Sequence, residues 1–167
     1  CNLRHLWSCS KILPPPSVEL GSPSTSNTES NLEELHVAAT WMFPRVPVWT
    51  RQHQKLCVLG ISVEKLMQED VDLLAGLPNL LYLWLWVLKS PGTGILIRDG
   101  VVAFQLLKCF RITCSASCLT FMAGAMPKLQ ELHLQIHERG VERHGPSTIE
   151  GVEHLPNLRQ VDVDICF

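Results

Sequence analysis

The 167-residue sequence predicts an α/β solenoid, an open arc with parallel strands on a concave face and irregular helices and loops on the convex face. Two observations predict it. The motif Leu-x-x-Leu-x-Leu, with conservative swaps, recurs with its first Leu position at 3, 32, 56, 80, 107, 129 and 158, in steps of 29, 24, 24, 27, 22 and 29 residues. Three copies also share a lead-in: Leu77-Pro78-Asn79-Leu80, Met126-Pro127-Lys128-Leu129 and Leu155-Pro156-Asn157-Leu158.

Such steps lie within the window of roughly 20–29 residues that defines leucine-rich repeats. In an extended strand, side chains alternate faces, so the last two Leu positions point inward and their neighbours outward. One strand cannot bury its inner face alone, and stacked copies share a continuous apolar spine. Lacking polar capping units at either end, the stack is expected to be marginally stable in isolation. The clearest strands are Leu80–Leu85 and Leu129–Leu134; looser ones centre on Leu35, Leu59, Phe110 and Val161, and a damaged copy opens the chain at Leu3.

The returns are read in order. Residues 1–12 form a partial leading repeat, and 13–30, with Pro14-Pro15-Pro16 and Gly21-Ser22-Pro23, a flexible insertion. About six irregular repeats fill 31–167. Glu64–Gly76 is expected to be a helix with Leu66, Met67, Val71, Leu74 and Leu77 inward. Pro91–Gly94 is a surface turn, and Leu119–Ala125 a short turn between the fifth and sixth strands. Ser147-Thr148-Ile149-Glu150 fits a capping box opening a helix with Val152 and Leu155 inward. The Asn or Cys that regular repeats carry three residues after the last Leu is replaced by Glu64, Leu88, Ser115 and His137, so uneven curvature is expected.

Composition narrows the function. A net charge of −2 offers no basic stripe for nucleic acid. The longest apolar run, Leu80–Leu88, is too short to span a membrane. No basic-then-apolar leader precedes Cys1, and the seven cysteines form no spaced framework, which predicts reduced thiols in a cytoplasmic chain cut from a longer protein. No Gly-x-Ser-x-Gly elbow or convergent catalytic set is visible, so an enzyme is not expected.

Several phrases are more specific. Val46-Pro47-Val48-Trp49, Asp70–Pro78, Leu106–Phe110, Phe121–Leu129 and Gly151–Leu158 resemble segments of plant immune receptors. The chain is similar to the C-terminal leucine-rich-repeat region of a cereal nucleotide-binding, leucine-rich-repeat disease-resistance protein of the coiled-coil class. The resemblance implies a protein-recognition role in defence: contact with a pathogen effector or host protein, and autoinhibition of the receptor's own nucleotide-binding domain. Alternatives are the substrate-recruiting domain of a ubiquitin-ligase adaptor, or a structural spacer. No Gly-x-x-x-x-Gly-Lys-Ser/Thr phosphate loop is present, so no cofactor is expected, and the fragment is expected to be monomeric.

The candidate protein-binding residues are the outward strand positions: Glu34, His36, Tyr82, Trp84, Trp86, Arg111, Glu131, His133, Gln160 and Asp162, with Val58, Gly60 and Cys109 between them. Tyr82, Trp84 and Trp86 share one face, and Tyr, Trp and Arg dominate binding hot spots. The same rings could instead pack against other parts of the same protein. Cys109, Cys114 and Cys118, and His133 with His137, lack paired metal-ligand spacing, so no metal is expected. The mixed-charge run His137–His144 is read as a solvated connection.

Overall fold

Every described copy of the leucine motif forms a strand, because alternation lets one face enter a shared interior while backbone groups pair with the next copy. The computed structural model describes residues 32–37, 41–89, 94–98, 103–114, 119–137 and 149–166. The leading repeat, the Pro/Ser-rich insertion, residues 91–93 of the expected surface turn, Cys118 and the charged run after His137 lie outside them. In chain order come β1 (Glu34–His36), β2 (Met42–Phe43), a 3-10 helix (Val48–Gln52), β3 (Val58–Lys65) and α1 (Gln68–Ala75). There follow β4 (Tyr82–Lys89), β5 (Ile95–Ile97), β6 (Cys109–Cys114), β7 (Leu119–Phe121) and β8 (Glu131–His137). The last are β9 (Ile149–Glu150), a 3-10 helix (Val152–His154) and β10 (Gln160–Cys166).

The main sheet runs β1-β3-β4-β6-β8-β10, with β2 also pairing β3, and every pairing is parallel. Its register follows the motif without a slip. Leu35, Leu59, Leu83, Phe110, Leu132 and Val161 stand opposite one another in turn. Leu59, Leu83 and Leu132 are completely buried and Phe110 nearly so. Burying each such side chain is worth about 1.5–3 kcal/mol, so the spine is the principal source of cohesion.

A second device holds the register. The Glu33 carbonyl accepts from the N–H groups of both Cys57 and Val58, and the Cys57 carbonyl from Leu81 and Tyr82. Leu81 serves Lys108 and Cys109, Lys108 serves Gln130 and Glu131, and Gln130 serves Arg159 and Gln160. These shared carbonyls form an unbroken ladder at the strand entrances. The Pro-Asn lead-in adds to it: Asn79 Nδ2 donates to the Gln54 carbonyl at 2.9 Å and Asn157 Nδ2 to that of Pro127 at 2.7 Å. These exposed amides tie one turn to the carbonyl of the preceding one.

The returns differ from the sequence expectation in three places. The helix begins at Gln68 rather than Glu64, because Glu64 and Lys65 extend β3, where Lys65 stands opposite Lys89 and Glu64 is bonded by the Lys89 ammonium at 2.6 Å. Its first turn is secured by Asp70, which accepts the Met67 N–H at 2.9 Å and a two-pronged contact from Arg45 Nε at 3.2 and 3.0 Å. Leu119–Ala125 is not all turn: Leu119–Phe121 is β7. Ile149–Glu150 forms β9 and is followed by a 3-10 helix rather than an α-helix, while Ser147 and Thr148 lie outside the described residues.

The last two corrections share one cause. β5, β7 and β9 pair in parallel as a second, three-stranded sheet, with Ile95 opposite Leu119 and Leu119 opposite Ile149. Short β-branched and aromatic return segments satisfy their backbone by pairing with one another instead of coiling. The Gln68 side chain closes this sheet's edge against α1, donating to the Leu96 carbonyl at 2.8 Å and accepting the Leu96 N–H at 3.0 Å. Ile95, Ile97, Leu119 and Phe121 join the same core as the main spine.

Gly151 makes the turn out of β9 at φ +77°, and a Cβ there would lie 1.9 Å from the Phe121 carbonyl oxygen. Left-handed backbone and overpacking combine at this point. Gly151→Ala is expected to cost roughly 2–5 kcal/mol, read as a lower urea midpoint. An unchanged midpoint would mean that the turn does not depend on glycine.

Candidate protein-binding face

The constant register sorts the outward side chains into rows. The first row is Glu34, Val58, Tyr82, Cys109, Glu131 and Gln160. The second is His36, Gly60, Trp84, Arg111, His133 and Asp162. A third runs Met42, Ser62, Trp86, Thr113, Gln135 and Asp164. The outward positions named from the sequence therefore all lie on one surface, but they are not equally open. Trp86 is 45% exposed and Glu34, His36, Arg111 and Gln160 are exposed, whereas Tyr82, Trp84, Glu131, His133 and Asp162 are half-buried. Gly60, Ser62 and Cys109 are buried.

β3 explains part of this burial. In the second and third rows it offers only Gly60 and Ser62 between the larger side chains of its neighbours. A Cβ on Gly60 would lie 3.0 Å from His36 Nδ1 and 3.3 Å from Trp84 Cε3. The missing side chain lets the two rings meet across the intervening strand, with centroids 4.8 Å apart and planes inclined by 30°. Although His36 keeps an exposed edge, partial desolvation of its ring lowers its pKa, with the Glu34 carboxylate opposing, so this imidazole stacks in its neutral form at neutral pH.

Beyond Trp84 the face changes character. Burial pushes the Cys109 thiol up to about 11, and the Glu131 carboxylate adds to that shift. Arg111 and a hydrogen bond from Trp84 oppose it without reversing it. His133 Nδ1 lies 2.8 Å from Asp162 Oδ2 and its Nε2 3.6 Å from Glu131 Oε2. Gln160 Nε2 also donates to Asp162 Oδ2 at 2.8 Å. The surface is thus aromatic around β4 and rich in carboxylates across β8 and β10, with Arg111 between.

Two features escaped the sequence reading. The His36–Trp84 stack joins residues of strands that are not adjacent, and only the pairing of His36 and Trp84 with the same glycine, Gly60, would have suggested it. Cys109, Glu131 and His133 were assigned to unrelated groups, yet the 22-residue step between Leu107 and Leu129 already places Cys109 opposite Glu131. Cys57, Cys109 and Cys114 are in no disulfide. Among the described residues no helix is long and apolar enough to cross a membrane.

Gly60→Val is expected to part the His36 and Trp84 rings and cost about 1–3 kcal/mol. Near-ultraviolet circular dichroism reads the loss, which Trp84→Leu should reproduce. Retention of the signal in both variants would exclude a fixed stack.

The family model described as "Leucine-rich repeat region" matches residues 1–167. "Disease resistance protein RGA5" of Oryza sativa subsp. japonica is 40% identical over 120 residues, which cover 72% of this chain and 10% of that protein. The chain therefore spans about a tenth of that relative's length. No solved structure gives a significant match. With its motifs stacked in register as parallel strands and the family model matching throughout, the chain belongs to the leucine-rich repeat family and is a relative of a rice disease resistance protein.

Proposed function

We propose that this chain is the protein-recognition module of a plant immune receptor, sensing an effector or an effector-modified host protein and restraining the receptor's nucleotide-binding domain. The observation that carries the reading is the cluster of Tyr82, Trp84 and Trp86 on the outward face of β4, above the buried Leu83, Leu85 and Val87. Aromatic side chains offer large contact area at low entropic cost, and Trp86 keeps nearly half of its surface open. The neighbouring carboxylates of Glu131, Asp162 and Asp164 suit a partner that brings an apolar anchor flanked by basic groups. A partner that binds the released arrangement better than the restrained one shifts the population towards signalling.

Trp86→Ala and Trp84→Ala separate the possibilities, because Trp84 also supports the His36 stack whereas Trp86 is more open. The nucleotide-binding domain of a receptor of this class, supplied in trans, is expected to bind the wild-type chain. Each variant is expected to bind it at least about 30-fold more weakly, corresponding to a hot spot of ~2 kcal/mol. Calorimetric titration measures this, with thermal melting as the control. Equal affinity in Trp86→Ala, or binding losses explained wholly by earlier melting, would make the aromatic cluster structural.

A further inference from the structure

β6 and β8 bring three donor groups to one point on the outward face. One ligand atom from each of Cys109, Glu131 and His133 lies within 4.8 Å of the other two. The strand register accounts for the meeting: Cys109 stands opposite Glu131, and Arg111 opposite His133, so Cys109 and His133 are diagonal neighbours on one face. In a tetrahedral zinc site, bonds of about 2.0–2.3 Å hold adjacent donors roughly 3.5 Å apart. The 3.6 Å between His133 Nε2 and Glu131 Oε2 already matches that spacing. The sulfur, within 4.8 Å of both other donors, has to close by no more than about 1.3 Å, within the reach of a side-chain adjustment.

Asp162 provides the second, independent feature. A metal-bound histidine normally donates its other ring N–H to a carboxylate, which fixes the tautomer and the ring plane. Asp162 Oδ2 lies 2.8 Å from His133 Nδ1, on the neighbouring strand, in position to accept that hydrogen bond. The Nε2 lone pair is left facing Glu131 and available to a cation. We infer that Cys109, Glu131 and His133 form a three-ligand zinc site, with Asp162 orienting His133 from the adjacent strand.

The donor set selects the ion. Thiolate and imidazole favour zinc and disfavour magnesium and calcium, which take oxygen ligands. Cys109 is buried, so one flank of the site is dry, while the half-buried Glu131 and His133 leave the fourth position towards solvent. Arg111 is the opposing charge on this face, and the two carboxylates of Glu131 and Asp162 outweigh it. An ion held here would tie β6 to β8, and through Asp162 to β10, whether or not a protein docks on the aromatic side.

The test uses the full chain, titrated with Zn²⁺ while Tm is followed and with Co²⁺ while near-ultraviolet thiolate-to-metal absorption is recorded. One equivalent of metal, a thiolate band and a Tm that climbs with free zinc are expected. Cys109→Ser is expected to abolish the band. Glu131→Gln and Asp162→Asn, at partly open positions that leave the core intact, are expected to weaken zinc binding about 10–100-fold. No band or no stoichiometric zinc uptake in the wild type overturns the site. So does a band that survives in Cys109→Ser, which assigns the metal to other thiols. If Cys109→Ser fails to fold, the two carboxylate variants decide, and unchanged zinc affinity in both overturns the inference.

Discussion

The structure depends on the ladder of shared carbonyls at the strand entrances. Each carbonyl in the series Glu33, Cys57, Leu81, Lys108 and Gln130 accepts two N–H groups from the next rung. This fixes where a rung starts relative to its neighbour, and alternation then decides which side chains enter the spine. A slip of one residue would turn Leu59, Leu83, Phe110 and Leu132 to the solvent side together. The repeat steps vary between 22 and 29 residues, yet no main-sheet pairing shows a slip, because all of the variation falls in the returns. Regularity on one side and irregularity on the other thus have a single origin.

That division also explains how much could be read from the sequence. The strands were legible, because the leucine spacing reports both their existence and their alignment. Adding each repeat step to a strand position recovers the pairing of Tyr82 with Cys109 and of Cys109 with Glu131. The returns were less legible. Glu64 and Lys65 fit the stripe of an amphipathic helix as well as the tail of a strand, and only β4 running alongside to Lys89 decides for the strand. Ile95–Ile97 and Leu119–Phe121 are too short to announce themselves; each is a strand because the other is. A pattern internal to one segment is visible in a sequence, whereas a pairing between two returns of unequal length is not.

For the outward face, the sequence supplied the list of side chains but not their openness. Gly60 and Ser62 look like gaps in a binding strip, and in the fold they are the means by which the strip closes over β3. The small residues allow His36 and Trp84 to meet above the strand, and Trp84 in turn reaches Cys109. Tyr82 and Trp84 are consequently half-buried, and Trp86 is the ring that remains open. Burial here is set by what stands two strands away, which no local pattern records.

β10 shows how far cover by a neighbouring strand decides burial. Val161, Val163 and Ile165 occupy the same register as the buried spine, yet they are exposed by 44%, 48% and 52%. Among the described residues nothing packs beyond β10, so its inner side chains gain cover from β8 alone. Yet β10 carries Gln160, Asp162 and Asp164, which complete the acidic side of the outward face and hold His133 in place. The residues that set the chemistry on this side of the face thus stand on a strand that, among the described residues, pairs with β8 alone. Any interaction across β8 and β10, whether the His133–Asp162 pair or an ion beneath it, therefore joins the two strands through their outward side chains in addition to their backbone pairing.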